Sequence, residues 1–133
     1  MCIRDSGYTG YLFMPLCVSA LTDTGAAVWS GISKNTGTYD FDTQASANGT
    51  VPTGAKAVFL AISAQWTAAN GGYYILARKK GSSDYGLVAR SQNGNTNSDA
   101  YGIVELDASG DFSVIIGGAN ATSCVVRLIG YFM

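Results

Sequence analysis

The sequence predicts an all-β domain, an antiparallel two-sheet sandwich of jelly-roll type with eight or nine strands. Three observations lead there. Helical periodicity is missing almost everywhere, while segments of about 5 to 10 residues with alternating apolar and polar positions recur along the chain. Clusters of Gly, Asn, Ser and Asp separate those segments, which is the chemistry of tight turns. The composition agrees, with 17 Gly against 2 Pro, 47% apolar residues and only 13% charged. That charged share is about half of what is usual in soluble domains. So many short strands fit a sandwich or a barrel, and a closed barrel is the structural alternative.

The strands can be taken in order. Leu12 to Ala20, Ala26 to Ile32 and Thr38 to Thr43 each read as strands, with Gly25 and Gly37 as the sharp stops between them. Ala57 to Trp66 is the clearest: Val58, Leu60, Ile62, Ala64 and Trp66 share one face, which belongs in the core, and Ala57, Phe59, Ala61, Ser63 and Gln65 share the other. Asn70-Gly71-Gly72 turns the chain into Tyr73 to Lys79, which suggests a long hairpin with Trp66 and Tyr73 near its tip. Gly81-Ser82-Ser83-Asp84 is the next turn, followed by a short strand from Tyr85 to Ser91. The polar tract Gln92 to Asp99 reads as a surface loop. Tyr101 to Leu106 resumes the alternation, Asp107-Ala108-Ser109-Gly110 turns it, and Asp111 to Ile116 returns. Ser123 to Phe132 closes the chain, with Cys124, Val126, Leu128 and Phe132 on one face and Val125, Arg127, Ile129 and Tyr131 on the other. The expected inward positions are Val58, Leu60, Ile62, Val104, Leu106, Val114, Ile116, Val126 and Leu128.

At 133 residues and 13.8 kDa the length suits one domain. The opening Met1-Cys2-Ile3-Arg4-Asp5-Ser6 matches the in-frame translation of a transposase sequencing adapter. Residues 1–6 are therefore set apart, residues 7–133 form the expected sandwich domain, and the natural chain is expected to extend upstream in a gene read from environmental DNA. A net charge of −1 and a pI near 5.0 provide no basic field for a phosphate backbone, so nucleic-acid binding is not expected. No apolar run approaches the roughly 18 to 20 residues that span a bilayer, and no membrane segment is expected.

Chemistry is sparse. The chain has no His, which removes most nucleophilic hydrolase arrangements and nearly excludes a zinc site. No cofactor is expected. Cys17 and Cys124 lie in apolar stretches as small hydrophobes, and a disulfide between them stays open. Glu105, the sole Glu, reads as a solvated outward position. Asp40 and Asp42 flank Phe41 on one strand face; edge-strand solubility explains them more simply than calcium, for which two carboxylates supply too few oxygens. Arg78-Lys79-Lys80 reads as a solubilising strand end rather than an anion site. Asn48-Gly49-Thr50 and Asn120-Ala121-Thr122 match the short N-glycosylation pattern.

The aromatic residues, Trp29, Trp66 and eight Tyr, carry the positive signal. Aromatic faces pack against sugar C–H groups while Asn amides read hydroxyls. The candidate ligand residues are Trp66, Tyr73, Asn95, Asn97 and Tyr101, beside three candidate loops: Thr67 to Tyr73, Gln92 to Asp99 and Gly117-Gly118-Ala119-Asn120. Core packing is the simpler reading of Trp66, and plain solubility that of any single polar loop.

Val51-Pro52-Thr53-Gly54-Ala55-Lys56-Ala57-Val58 and Leu128-Ile129-Gly130-Tyr131-Phe132 resemble the lead into the central strand and the terminal strand of β-sandwich modules near the C-termini of phage tail-fibre and other virion structural proteins. In that layout Pro52 and Gly54 make a turn, and Gly130 permits close approach to the opposite sheet. The resemblance implies a non-enzymatic virion or tail-fibre module, located in a virion or outside the cell. Its implied partners are other virion or surface subunits, copies of itself, and a cell-surface glycan. A carbohydrate-binding module of a secreted surface protein or glycoside hydrolase is the alternative.

Overall fold

A computed structural model describes residues 12–24, 28–45 and 51–133, without the side chains of residues 17–19. The adapter-like residues 1–6, Gly25, and the Asn48-Gly49-Thr50 motif lie outside it. Nine strands are present: β1 Phe13–Ala20, β2 Ser30–Lys34, β3 Gly37–Asp42, β4 Ala57–Gln65, β5 Tyr74–Lys79, β6 Leu87–Arg90, β7 Asn97–Glu105, β8 Asp111–Gly117 and β9 Ala121–Phe132. They build two antiparallel sheets packed as a sandwich. One has the order β1-β9-β4-β7, with β2 also on β9, and the other the order β3-β8-β5-β6. Among the described residues no helix is found.

β1 and β2 share one edge of β9, β1 along Arg127 to Phe132 and β2 along Ala121 to Val125. Between them the chain leaves the sheet and returns. The Leu21 N–H donates to the Val126 carbonyl, the Trp29 N–H donates to Leu21, and Thr22 bridges Val28. This excursion carries Asp23 into the interior. Its carboxylate accepts from the Trp29 indole N–H at 3.0 Å and pairs with Lys34 Nζ at 3.0 Å. The ammonium lies 4.5 Å from the Trp29 ring centroid and 4.7 Å from that of Tyr39. A buried charge is tolerable only with such compensation.

The core follows from strand alternation. All nine residues expected to face inward are buried, and so are Ala64, Trp66 and Cys124. Phe41 stacks on Phe112, with centroids 5.0 Å apart, and Trp29 meets both Phe41 and Tyr39 edge-on. Cys124 is a free thiol, so no disulfide joins it to Cys17. Burial pushes that thiol up to about 12.

Several sequence expectations are corrected. β4 and β5 do not form a hairpin: β4 pairs with β7 and β9, whereas β5 pairs with β6 and β8. The turn after Asn70 exists, with the Tyr73 N–H donating to the Asn70 carbonyl, but it lies within a crossover between sheets. The Gln92–Asp99 tract is loop only in its first part, because β7 begins at Asn97. In β9 the register slips between Phe59 and Leu60, which pair with Gly130 and Leu128. This bulge reverses the phase beyond it, so Tyr131 packs against the core and Phe132 lies on the outer face, opposite to simple alternation. Gly130 accordingly faces Phe13 of the adjacent strand rather than the opposite sheet. The turn before β4 is as expected, with the Ala55 N–H donating to the Pro52 carbonyl and Gly54 at a φ of 93°.

Candidate functional site

The outer face of the β1-β9-β4-β7 sheet is the most distinctive surface of the domain. Strand alternation points Phe59 and Ala61 outward from β4, since Val58, Leu60 and Ile62 point inward. Ile103 of β7 stands opposite Phe59, and Tyr101 opposite Ala61. On the other side of β4, Gly130 and Arg127 of β9 occupy the same two rows. Phe13 then lies over Gly130, its ring centroid 5.0 Å from that of Phe132 and 6.2 Å from that of Phe59. The absence of a side chain at Gly130 makes room for this three-ring cluster.

The result is a largely apolar half-sheet in contact with solvent, with the charged groups of Glu105 and Arg127 at its margins. Tyr101 is 65% exposed and Ile103 60%, and Leu12, Phe13 and Met133 are also exposed at the rim. The other half is polar: Ser63 stands opposite Asp99 and Val125, and Gln65 opposite Asn97 and Ser123. Single exposed apolar residues are ordinary, but adjoining ones that make a patch mark a contact surface.

The structure does not bring the five predicted ligand residues together. Trp66 is a core residue, 1% exposed, and its indole N–H donates to the Ala119 carbonyl at 3.1 Å. It offers no face to a ligand. Tyr73 packs beside it with ring centroids 6.3 Å apart and closes that end of the sandwich. Asn95 sits at a φ of 55°, a conformation Asn tolerates, and its N–H donates to the Trp66 carbonyl at 2.7 Å. Asn97 lines a shallow polar hollow with Arg90, Gln92, Asn93, Thr96 and Asp99. Tyr101 lies on the apolar half-sheet described above. The Asn95 loop therefore supports Trp66 from outside, and only Tyr101 and Asn97 present exposed side chains on the β4-β7 face or its edge.

The charged candidates are accounted for by neighbours. β3 is an edge strand; Asp40 accepts from the Ser113 hydroxyl at 2.6 Å and lies 3.6 Å from Lys80 Nζ. Asp42 accepts from the N–H groups of Gln44 and Ala45 and so stabilises the turn leaving β3. No metal-holding cluster of three or more His, Cys, Asp or Glu occurs among the described residues. Lys80 also contacts Asp111 at 2.7 Å, and that hydrogen bond is the main reason its ammonium is held above the ordinary lysine range. Glu105 points outward, with Lys79 at 3.9 Å. Asn120 of the second glycosylation-like motif caps the β2–β3 turn by accepting from the Thr36 N–H.

What sequence reading missed is the significance of Ile103 and Phe13, which are separated by 90 positions and joined only through the register of β1, β9, β4 and β7. Outward apolar residues at alternate positions of a solvent-facing strand, Tyr101 and Ile103, were the available signal. No family model and no curated protein sequence matches the chain.

Proposed function

We propose that this domain is a non-enzymatic assembly module of a virion or cell-surface structure, and that its sandwich is of jelly-roll type. The observation that carries the assembly reading is the exposed apolar half-sheet of Phe13, Phe59, Tyr101, Ile103 and Phe132. The strand order supports the finer fold reading: once β1 and β2 are counted as one interrupted strand, each sheet has four strands, and the chain changes sheets at every later connection except β5 to β6. Burial keeps the Cys124 thiol un-ionised, and the sequence holds no His that could activate a hydroxyl or thiol. The likeness of the Val51 to Val58 and Leu128 to Phe132 segments to virion modules supports the same reading.

The occupant we propose for the apolar half-sheet is a second copy of this chain. The whole outer face, with the polar half as a rim to the apolar one, spans four strands about 4.8 Å apart and about nine residues long, roughly 20 Å by 30 Å or on the order of 600 Å², about half of it apolar. Two such faces bury roughly 1,200 Å² together, the lower end of specific interfaces and a size suited to reversible association reinforced in a particle. Sedimentation equilibrium tests this. Self-association with a Kd between about 1 μM and 1 mM is expected, weakened at least about tenfold by Ile103→Asp and unchanged by Thr38→Asp on the opposite sheet. A wild-type chain that stays monomeric throughout that range would overturn the reading.

A further inference from the structure

The opposite sheet carries a second feature, independent of the assembly reading. On its outer face β5, β6 and β8 and the loop after Lys80 enclose a trough of about 450 Å³. Its floor is apolar: Leu76, 4% exposed, stands beside Ile115 of β8. Tyr74 extends the floor, because its ring lies across Gly117, where a Cβ would fall 2.2 Å from the ring. Arg78 and Arg90 form opposite parts of the wall. Strand alternation sends Arg78 to this face and its neighbour Lys79 away from it, toward Glu105. Register sets Arg90 opposite Tyr74, with the guanidinium carbon 5.6 Å from the ring centroid. Tyr85, 80% exposed, and Asp84 complete the rim from the loop.

The charge state of this trough is what sets it apart. Lys34, Lys79 and Lys80 each face a carboxylate, whereas Lys56, Arg78, Arg90 and Arg127 form no ion pair among the described residues, and of these four only Arg78 and Arg90 line one trough. Each instead donates to a backbone carbonyl, Arg78 to Asp84 at 3.5 Å and Arg90 to Gly71 at 3.1 Å. Those bonds orient the guanidinium groups without neutralising them. Oriented cations on either side of an apolar floor fit a ligand that joins an anionic group to a flat C–H face.

We infer that this trough binds an acidic saccharide, a sugar residue bearing a carboxylate. Arginine forks match carboxylate geometry in a way an ammonium cannot. The apolar face of the pyranose would lie on Tyr74 and Ile115, and Asp84 and the Tyr85 hydroxyl would meet its hydroxyl groups. The site differs from the Trp66 and Asn95 region singled out by the sequence, and Arg78, Arg90, Asp84 and Tyr85 reach it from the surface of the second sheet.

Calorimetric or NMR titration with oligogalacturonate and with sialyllactose tests the assignment, against neutral galacto-oligosaccharide and lactose as matched probes. At least one acidic probe is expected to bind with a Kd on the order of 0.1 to 1 mM, at least about tenfold tighter than its neutral counterpart and more weakly at high salt. Arg78→Gln and Arg90→Gln should each weaken it at least about tenfold with an unchanged Tm, Arg90→Lys should restore it only in part, and Arg127→Gln on the other sheet should leave it intact. The inference is overturned if neither acidic probe binds by about 10 mM, if the neutral sugars bind equally, if both glutamine variants bind as the wild type does, or if inorganic sulfate competes with and matches the sugars in affinity.

Discussion

Phe13 covers Gly130 so closely that a Cβ at position 130 would lie 2.4 Å from the ring and 2.7 Å from the Met14 carbonyl oxygen. The two contacts differ in kind: the half-exposed ring can swing away, while the carbonyl belongs to the strand pairing of β1 and β9. Gly130→Val is therefore expected to cost about 1 to 3 kcal/mol. Adding Phe13→Ala should recover only part of that loss. Urea unfolding of the two single variants and the double variant checks this, and full recovery in the double variant would show that the strand backbone is not strained.

The Asp23–Lys34 pair should show strong coupling. Both side chains are almost fully buried, and the ammonium is held between Trp29 and Tyr39. Asp23→Asn leaves Lys34 buried beside two rings with no carboxylate, at an expected cost of roughly 3 to 5 kcal/mol. Combining it with Lys34→Met should cost less than the sum of the two single changes, which a double-mutant cycle measures directly. Simple additivity would mean that the pair is not a unit.

Burial of Cys124 predicts a loss of stability at alkaline pH. The folded thiol is pushed up to about 12, whereas an unfolded thiol ionises near 8.5. Above that lower value the unfolded chain loses its proton first, so stability falls as pH rises toward 12, and below it this group contributes no slope. Tyr39 adds to the fall at higher pH, because burial foremost and then the Asp23 carboxylate raise its hydroxyl above the ordinary value. Cys124→Ala should flatten the decline of Tm between about pH 9 and 11. An identical decline in wild type and variant would contradict the burial of this thiol.

Trp66→Ala is expected to act on folding. With its ring enclosed and its indole N–H bonded to Ala119, truncation should cost roughly 3 to 5 kcal/mol in chemical denaturation. Unchanged stability would show that the residue is not in the core.

The sheets were legible where alternation is uninterrupted. Val58 to Trp66 could be assigned face by face because its inward positions are all apolar and the alternation follows the pleat without a break. The same rule failed at Tyr131 and Phe132, because a bulge has no local signature and shifts every residue beyond it. Asn70-Gly71-Gly72 announced a turn but not its destination: turn residues encode local backbone angles, while the choice between a hairpin and a crossover depends on which strands β4 and β5 find as partners. The trough was hidden for a related reason. Tyr74, Arg78, Arg90 and Ile115 are ordinary strand residues in sequence, and only their register in the second sheet places two unpaired cations on either side of an apolar floor.

Residue-resolved NMR across a concentration series tests the central claim, that the β1-β9-β4-β7 face joins copies of this chain. Between about 10 μM and 1 mM, the signals of Phe59, Ala61, Tyr101, Ile103 and Arg127 are expected to shift progressively, while those of Thr38, Leu76 and Ile115 on the other sheet stay fixed. Concentration-independent spectra, or shifts confined to the other sheet, would contradict it.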